Sequence, residues 1–296
     1  MMSNDQIPRL QSDSVSIFDR KILRRVDVQT GPTGLGNSTS KLHIACVVDV
    51  ETTGLDVEDD AIIQFAARRI WFDDEGVITL IEPPMVWHED PGKPIPKEIS
   101  RLTGIVDSQV LGERIDEDEV LDLFMDVDIV IAHSAKFDKP FLTKRVPPLG
   151  QMLWGCSCSD VDWPKNGFDG RGLGWLCAQA GYFFDGHRAL ADVDAVVTLL
   201  GREKPDGETI LAELVRRAQI PHILVEATGA SFGTKDVLRR RGYRWNAAKR
   251  VWEREISEIE CLAEEIWLST NVYGPSCGAR SIGPFITEMR VADRFM

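Results

Sequence analysis

Between Leu42 and Glu51 the chain reads LHIACVVDVE, an apolar, β-branched run that gives way to turn material at Gly54. Such a run is a buried strand. Side chains alternate along a strand, so Val48 and Val50 enter one layer while Asp49 and Glu51 share the opposite face. AIIQFAARRIWF and VITLIEPP follow as two further strands around the acidic turn DDEG, which predicts an antiparallel meander. Next come a short helix near Ile99 to Leu102, an acidic helix near Glu117 to Met125, a short buried strand DIVIA, and a helix in KPFLTKRV that begins close to Pro140. GLGWLCAQAG predicts a helix stopped by Gly181, and HRALADVDAVVTLL a longer one with Leu190, Val193, Val197 and Leu200 apolar. Strands first, then alternating strand and helix, make a mixed α/β sheet flanked by helices.

Composition divides the chain. Residues 1–40 are rich in Ser, Asn, Thr and Gly and end in GPTGLGNSTS, a flexible arm in which Ile22, Leu23 and Val26 can form a short docked segment. Residues 41–205 hold the mixed sheet. The composition shifts after Gly207, and residues 206–296 read as a small α+β module opened by the helix TILAELVRRAQ. With 296 residues the chain can bury a sizeable core. Its net charge of −13 has the wrong sign for a protein that coats nucleic acid, although carboxylates that hold cations are compatible with action on phosphates. Of the six cysteines only Cys156 and Cys158 are close, and C-x-C lacks the paired spacing of a structural zinc site. The polar start shows no signal peptide, and no apolar stretch reaches the roughly 20 residues that span a bilayer. We therefore expect a soluble, cytoplasmic protein with free thiols and no membrane contact.

Two carboxylates side by side on one strand face repel each other. A bound divalent cation removes the conflict, and magnesium takes oxygen ligands while keeping several waters. Asp138 follows the strand DIVIA, and loops beyond strand ends gather ligand sites in open α/β sheets. An Asp just ahead of Pro140 can equally cap a helix. His187 and Asp192 stand about 140° apart on a continuous helix. They can serve one site only with His187 in the preceding loop, beside Gly186, and Asp192 in the first turns. A solvated histidine and aspartate is the bland alternative. Together, the four carboxylates and the histidine suit a two-metal phosphoryl-transfer site with ions about 3.5–4 Å apart. A histidine, titrating near operating pH, supplies a general base.

DVETTGL, HSAKFD and HRALAD, in that order and spacing, resemble the three motifs of the DEDDh family of 3′–5′ exonucleases, which includes the epsilon proofreading subunit of bacterial DNA polymerase III and RNase T. The resemblance covers roughly residues 42–202 and takes in IPKEISRLTGI. The segments WGCSCSDVDW and KDVLRRRGYRWN are similar to those of a bacterial stand-alone subgroup. The resemblance implies a ribonuclease-H-like fold, with Asp49, Glu51, Asp138 and Asp192 as ligands of two divalent cations, Mg2+ or Mn2+. It implies His187 as the base that deprotonates the attacking water, and Thr52, Thr53 and Leu55 against the terminal nucleotide. The implied products are nucleoside 5′-monophosphates. In the second motif Ser134 stands where the family carries Asn, which trades an amide for a shorter hydroxyl where substrate is positioned.

Between Gly229 and Ile256 eight basic residues accompany three acidic ones, with Tyr243, Trp245 and Trp252 among them. Charge that tracks phosphates and rings that stack on bases are what single-strand binding uses. Rings in a small core with a solvated basic face are the other reading. We expect Lys235, Arg240 and Arg244 to bind nucleic acid, so that the module feeds a DNA single strand, 3′ end first, to the carboxylates. RNA 3′-end trimming is the rival within the class, since no residue reveals how the site treats a 2′-hydroxyl. A catalytically silent nucleic-acid-binding module is the rival outside it. No polymerase-binding peptide stands out, and the sequence specifies neither a polymerase partner nor a homodimer.

Overall fold

The computed structural model describes residues 21–37 and 39–296. Its first part contains strands β1 (Arg24–Arg25), β2 (Gly31–Pro32), β3 (His43–Thr52), β4 (Ile62–Phe72), β5 (Ile78–Ile81), β6 (Met85–His88), β7 (Ile129–Ala132), β8 (Trp154–Cys156) and β9 (Tyr182–Phe183). Helices α1 (Lys97–Thr103), α2 (Asp107–Val110), α3 (Glu117–Leu123), α4 (Ala135–Arg145), α5 (Leu173–Ala180), α6 (Ala189–Leu200) and α7 (Ile210–Ala218) accompany them. The main sheet runs β2–β5–β4–β3–β7–β8, with β6 also paired to β4. β3, β4 and β5 form the expected antiparallel meander, and β7 and β8 extend it parallel to β3. The result is the mixed, helix-flanked sheet of the ribonuclease-H-like class.

β3 alternates as its sequence demands. Ala45 and Val47 enter a core with Ile129, Ile131 and residues of α5, α6 and α7; Cys46, Val48 and Val50 enter a second core with Phe65, Val130 and residues of α3 and α4. Burying a Val side chain contributes on the order of 1.5–3 kcal/mol, so β3 is anchored from both sides. Its polar end follows the same alternation and brings Asp49 and Glu51 out on the α6 side.

One expectation is sharpened and two need correction. Residues 1–20 of the arm lie outside the described residues, but residues 21–37 are docked. β1 pairs in parallel with β9, β2 pairs with β5, and Val26 and Val28 pack against the first core. Val26 thus docks as the sequence allowed, while the backbone edge pairing of β1 and β2, which needs few apolar side chains, left no mark in composition. The helix expected to begin near Pro140 begins five residues earlier, at Ala135. The N–H groups of Phe137 and Asp138 both return to the Ser134 carbonyl, at 2.6 and 3.2 Å, so the first turn forms ahead of the proline. The boundary drawn at residue 206 also moves, because Ile210, Leu211, Leu214 and Ala218 of α7 belong to the first core.

The remaining elements are β10 (His222–Glu226), α8 (Lys235–Arg241), β11 (Arg244–Asn246), β12 (Val251–Ser257), α9 (Cys261–Asn271) and β13 (Phe285–Glu288). They build an antiparallel sheet, β11–β12–β10–β13, over its own core of Ile223, Val225, Leu238, Tyr243, Ile256 and Leu268. Trp252 leans on this core, while Trp245 is 51% exposed at its edge. Buried Glu264 accepts hydrogen bonds from Tyr243, Arg241 and Arg254. Helices α8 and α9 line the face that carries Ile223 and Ile256. The opposite face carries Glu253 and Glu255, and contact with the main sheet runs from there. Arg294 lies 3.6 Å from Glu255 and pairs with Asp160, just beyond β8. Phe295 fills the second core. The fully buried Lys139 of α4 donates to the carbonyls of Val291, Ala292 and Arg294 at 3.3, 3.1 and 2.9 Å.

Candidate active site

Four carboxylates and a histidine arrive at the polar end of β3 from three elements. Asp49 and Glu51 come from the strand and Asp192 from the first turn of α6, and oxygens of these three lie within 4.8 Å of one another. Asp138, fourth residue of α4, is buried beside Asp49. One of its oxygens accepts the Val50 N–H at 3.2 Å; the other is buried with no hydrogen-bond partner among the described residues. His187 is exposed in the loop before α6, in the left-handed region with φ 60°. Such a backbone is uncommon for a residue with a side chain and marks a place where surroundings dictate conformation.

The electrostatics express mutual repulsion. Burial, then the Asp138, Asp192 and Glu51 carboxylates, hold Asp49 well above the usual carboxylate range. Burial and Asp192 push Glu51 up to about 7, against the pull of the Arg188 guanidinium. Burial pushes Asp138 up to about 8, although the Val50 N–H opposes it. Burial raises Asp192 as well, while N–H groups of Arg188 and His187 and the His187 ring pull it down.

Residues that the sequence did not single out hold this arrangement. Gln64 stands opposite Glu51 in the β3–β4 register. Its carbonyl oxygen accepts the Ala189 N–H at 3.1 Å, and its amide meets His88 at 3.0 Å. The Arg188 N–H donates to Asp192 at 3.1 Å, and the Arg188 guanidinium donates to the Thr103 carbonyl across Gly104. A Cβ on Gly104 would collide with that guanidinium. His133, first residue of the second motif, donates from Nε2 to the Arg171 carbonyl at 2.8 Å, so its Nδ1 accepts from the Ser157 hydroxyl, also at 2.8 Å. Burial keeps it below its ordinary pKa, and its task is to shape the turn. Such partners are met across the fold; His133 and Arg188 lie within motifs, while Gln64 carries no such signal.

The residues expected to touch substrate divide. The Thr53 hydroxyl is committed to its own loop, donating to Asp60 at 2.8 Å and accepting the Ala61 N–H at 3.1 Å; the Thr52 hydroxyl donates to the Gly54 carbonyl. Leu55 is 85% exposed, and Ser134 is exposed ahead of α4 with no side-chain capping bond. Arg244 lies on the face of the small sheet turned toward α4. Lys235, over the Phe232 ring at 4.2 Å, and Arg240, bonded to the Asp236 carbonyl at 3.2 Å, belong to the helix layer on the other face. The structure does not bring those two to the carboxylates. The basic character of the module is also reduced, since Arg241 and Arg254 serve Glu264 and Lys249 pairs with Glu226.

The donor set is entirely oxygen, which suits magnesium or manganese rather than softer metals. Repelling carboxylates and an unpartnered buried Asp138 oxygen are what such cations relieve, so Asp49, Glu51, Asp138 and Asp192 fit the group. Among the described residues no helix is long and apolar enough to cross a membrane.

The chain is similar to several known proteins. Over 159 residues the chain is 32% identical to the PolC-type DNA polymerase III of Streptococcus suis, covering 51% of this chain and 10% of that one. It is 37% identical over 101 residues to the DNA polymerase III subunit epsilon of Aquifex aeolicus, 33% of this chain and 46% of that one. To Ribonuclease T of Shewanella oneidensis it is 30% identical over 118 residues, 35% of this chain and 53% of that one. The chain thus spans about half the length of these relatives at most. A solved exonuclease I structure aligns over 85% of this chain and 63% of its own at 15% identity, with a TM-score of 0.49. The RNase_T model, described as exonuclease, matches residues 46–200, more than half of the chain and all three motifs, so the chain belongs to the exonuclease family.

Proposed function

We propose that this protein is a metal-dependent 3′–5′ exonuclease that hydrolyses phosphodiester bonds from the 3′ end of single-stranded DNA and releases nucleoside 5′-monophosphates. The observation that carries the reading is the convergence of Asp49, Glu51 and Asp192, with oxygens within 4.8 Å of one another, and of buried Asp138 beside Asp49 with one oxygen that has no partner among the described residues. Two divalent cations, Mg2+ or Mn2+, held by these carboxylates would activate the attacking water and stabilise the leaving oxygen. The carboxylates would exchange their protons for the cations, whose charge would offset that of the approaching phosphate. His187, exposed beside Asp192, accepts the proton of the water, and the anchored Arg188 fixes the loop that presents it. Leu55 and Ser134 offer open surface for the terminal nucleotide. DNA is favoured by the similarity to DNA polymerase III subunit epsilon. RNA trimming is favoured by that to Ribonuclease T.

Oligonucleotides of one sequence, DNA and RNA, labelled at the 3′ or the 5′ end, test the reading in Mg2+, Mn2+ or EDTA beside Asp192→Ala. Metal-dependent shortening from the 3′ end, lost in the variant, is expected, and the relative rates name the substrate. Binding without cleavage of any substrate would make the protein a silent nucleic-acid-binding module instead.

A further inference from the structure

Where the two sheets meet, a lysine of α4 and an arginine of β11 face the same seam, and neither has an ion-pair partner among the described residues. Lys136 and Lys139 are three residues apart on α4 and therefore share a helix face. Lys139 shows where that face points, since its ammonium is held by the carbonyls of Val291, Ala292 and Arg294, and Arg294 reaches Glu255 of β12. Glu253 and Glu255 share one face of β12, and Arg244 is the register partner of Glu253. Arg244 therefore projects from β11 toward the same helix. The glutamates on the same face are engaged elsewhere: Glu253 by the Asn246 amide at 3.1 Å and Lys249 at 3.7 Å, Glu255 by His222 at 3.1 Å. Among the described residues neither Lys136 nor Arg244 forms an ion pair, and both are exposed. Two cations facing one seam, unpaired among the described residues of a chain of net charge −13, mark a place that an anion completes.

We propose that Lys136 and Arg244 together grip a backbone phosphate upstream of the 3′ end, so that the strand leaves the carboxylates through the seam between α4 and β11. The proposal rests on the exonuclease reading and adds the path of the substrate to it. Lys136 stands two residues ahead of Asp138 in the first turn of α4, so the gripped phosphate lies within a few nucleotides of the scissile bond. Arg244, with its planar fork, suits a phosphate held in two places, and Lys136 supplies a point charge.

A single neutral methylphosphonate linkage, moved stepwise from the 3′ end of a DNA oligonucleotide, locates the grip by fluorescence anisotropy in EDTA. In the wild-type protein one linkage near the 3′ end should weaken binding about tenfold, the scale of a charge-assisted contact. In Lys136→Gln, Arg244→Gln and the double variant the parent oligonucleotide should bind more weakly, and neutralising that linkage should cost nothing further. The slope of log Kd against log salt should fall by about 0.7 for the lost contact. Both side chains are exposed, and unchanged melting curves verify the fold. Linkage profiles identical in wild-type and variant proteins would overturn the grip while leaving the exonuclease intact. A wild-type protein that neither binds an oligonucleotide nor shortens it with metal would instead refute the exonuclease reading, and the grip with it.

Discussion

Asp138→Asn separates a strained carboxylate from an ordinary one. Asp138 is pushed up to about 8 and Glu51 to about 7, chiefly by burial. A carboxyl whose folded value lies above its unfolded value binds its proton more tightly in the native state. Stability from both groups is thus fully present below about pH 4, and it drains away as the pH climbs through 7 and 8. Each such proton steepens the loss by at most about 1.4 kcal/mol per pH unit, or roughly 3 °C in melting temperature for a chain of this size. Asparagine keeps an acceptor for the Val50 N–H but adds a buried amide N–H, which alone costs about 1–3 kcal/mol. The absolute melting temperature is therefore ambiguous, and the slope is the diagnostic. Metal-free wild-type protein should lose stability between pH 5 and 8 more steeply than Asp138→Asn, by up to that amount per unit. Mg2+ should rescue the wild type increasingly as pH rises, because binding expels the protons, and should rescue the variant little. Scanning fluorimetry from pH 5 to 9, in EDTA and in Mg2+, provides both comparisons. Parallel wild-type and variant curves in EDTA would refute the picture of a buried carboxylate held above its range.

Other changes test separate links. His187→Ala should slow cleavage by roughly 10²–10⁴-fold, the scale of general-base catalysis, with metal binding by calorimetry unchanged. Gly104→Ala puts a side chain at φ 70° and against the Arg188 guanidinium; a loss of about 1–2 kcal/mol on chemical denaturation is expected, and Arg188→Ala in the same protein should restore part of it. Arg294→Ala strips the buried Asp160 of its partner and should cost about 3–5 kcal/mol, read by thermal melting. Ser134→Asn should lower KM for oligonucleotides, measured by initial rates, if the missing amide is what that place lacks.

Which features were legible follows from where their causes lie. The alternation of β3 is written in ten consecutive residues, so Asp49 and Glu51 could be placed on one face from sequence alone. His187 and Asp192 were readable for the same reason, because five residues on a helix cannot reach one site without a break. The start of α4 was misread because Pro140 looks like a first helical residue, while the turn that nucleates the helix is made by the Ser134 carbonyl. α7 was assigned to the wrong unit because amphipathicity says that a helix is buried and not against what. Counting charges overstated the basic surface of the module, since Glu264 draws in two arginines from separate elements. Gln64 and Arg188 were illegible for a similar reason: their partners, Ala189 and Thr103, lie 125 and 85 residues away.

The carbonyl cage around Lys139 bears on the order in which the molecule is assembled. Its partner at Arg294 lies 155 residues along the chain, whereas the strand pairs of the small sheet all lie between His222 and Glu288. Contacts of long separation close after local ones, since more chain must be drawn in before they form. Until the segment from Val291 to Phe295 returns, the Lys139 ammonium needs water, and the second core lacks Phe295. The helix that carries Asp138 is therefore expected to complete its seating only when that segment returns. During refolding, tryptophan burial should run ahead of the capacity to bind metal, and the interval between the two measures how long the chain is a folded scaffold without a working site.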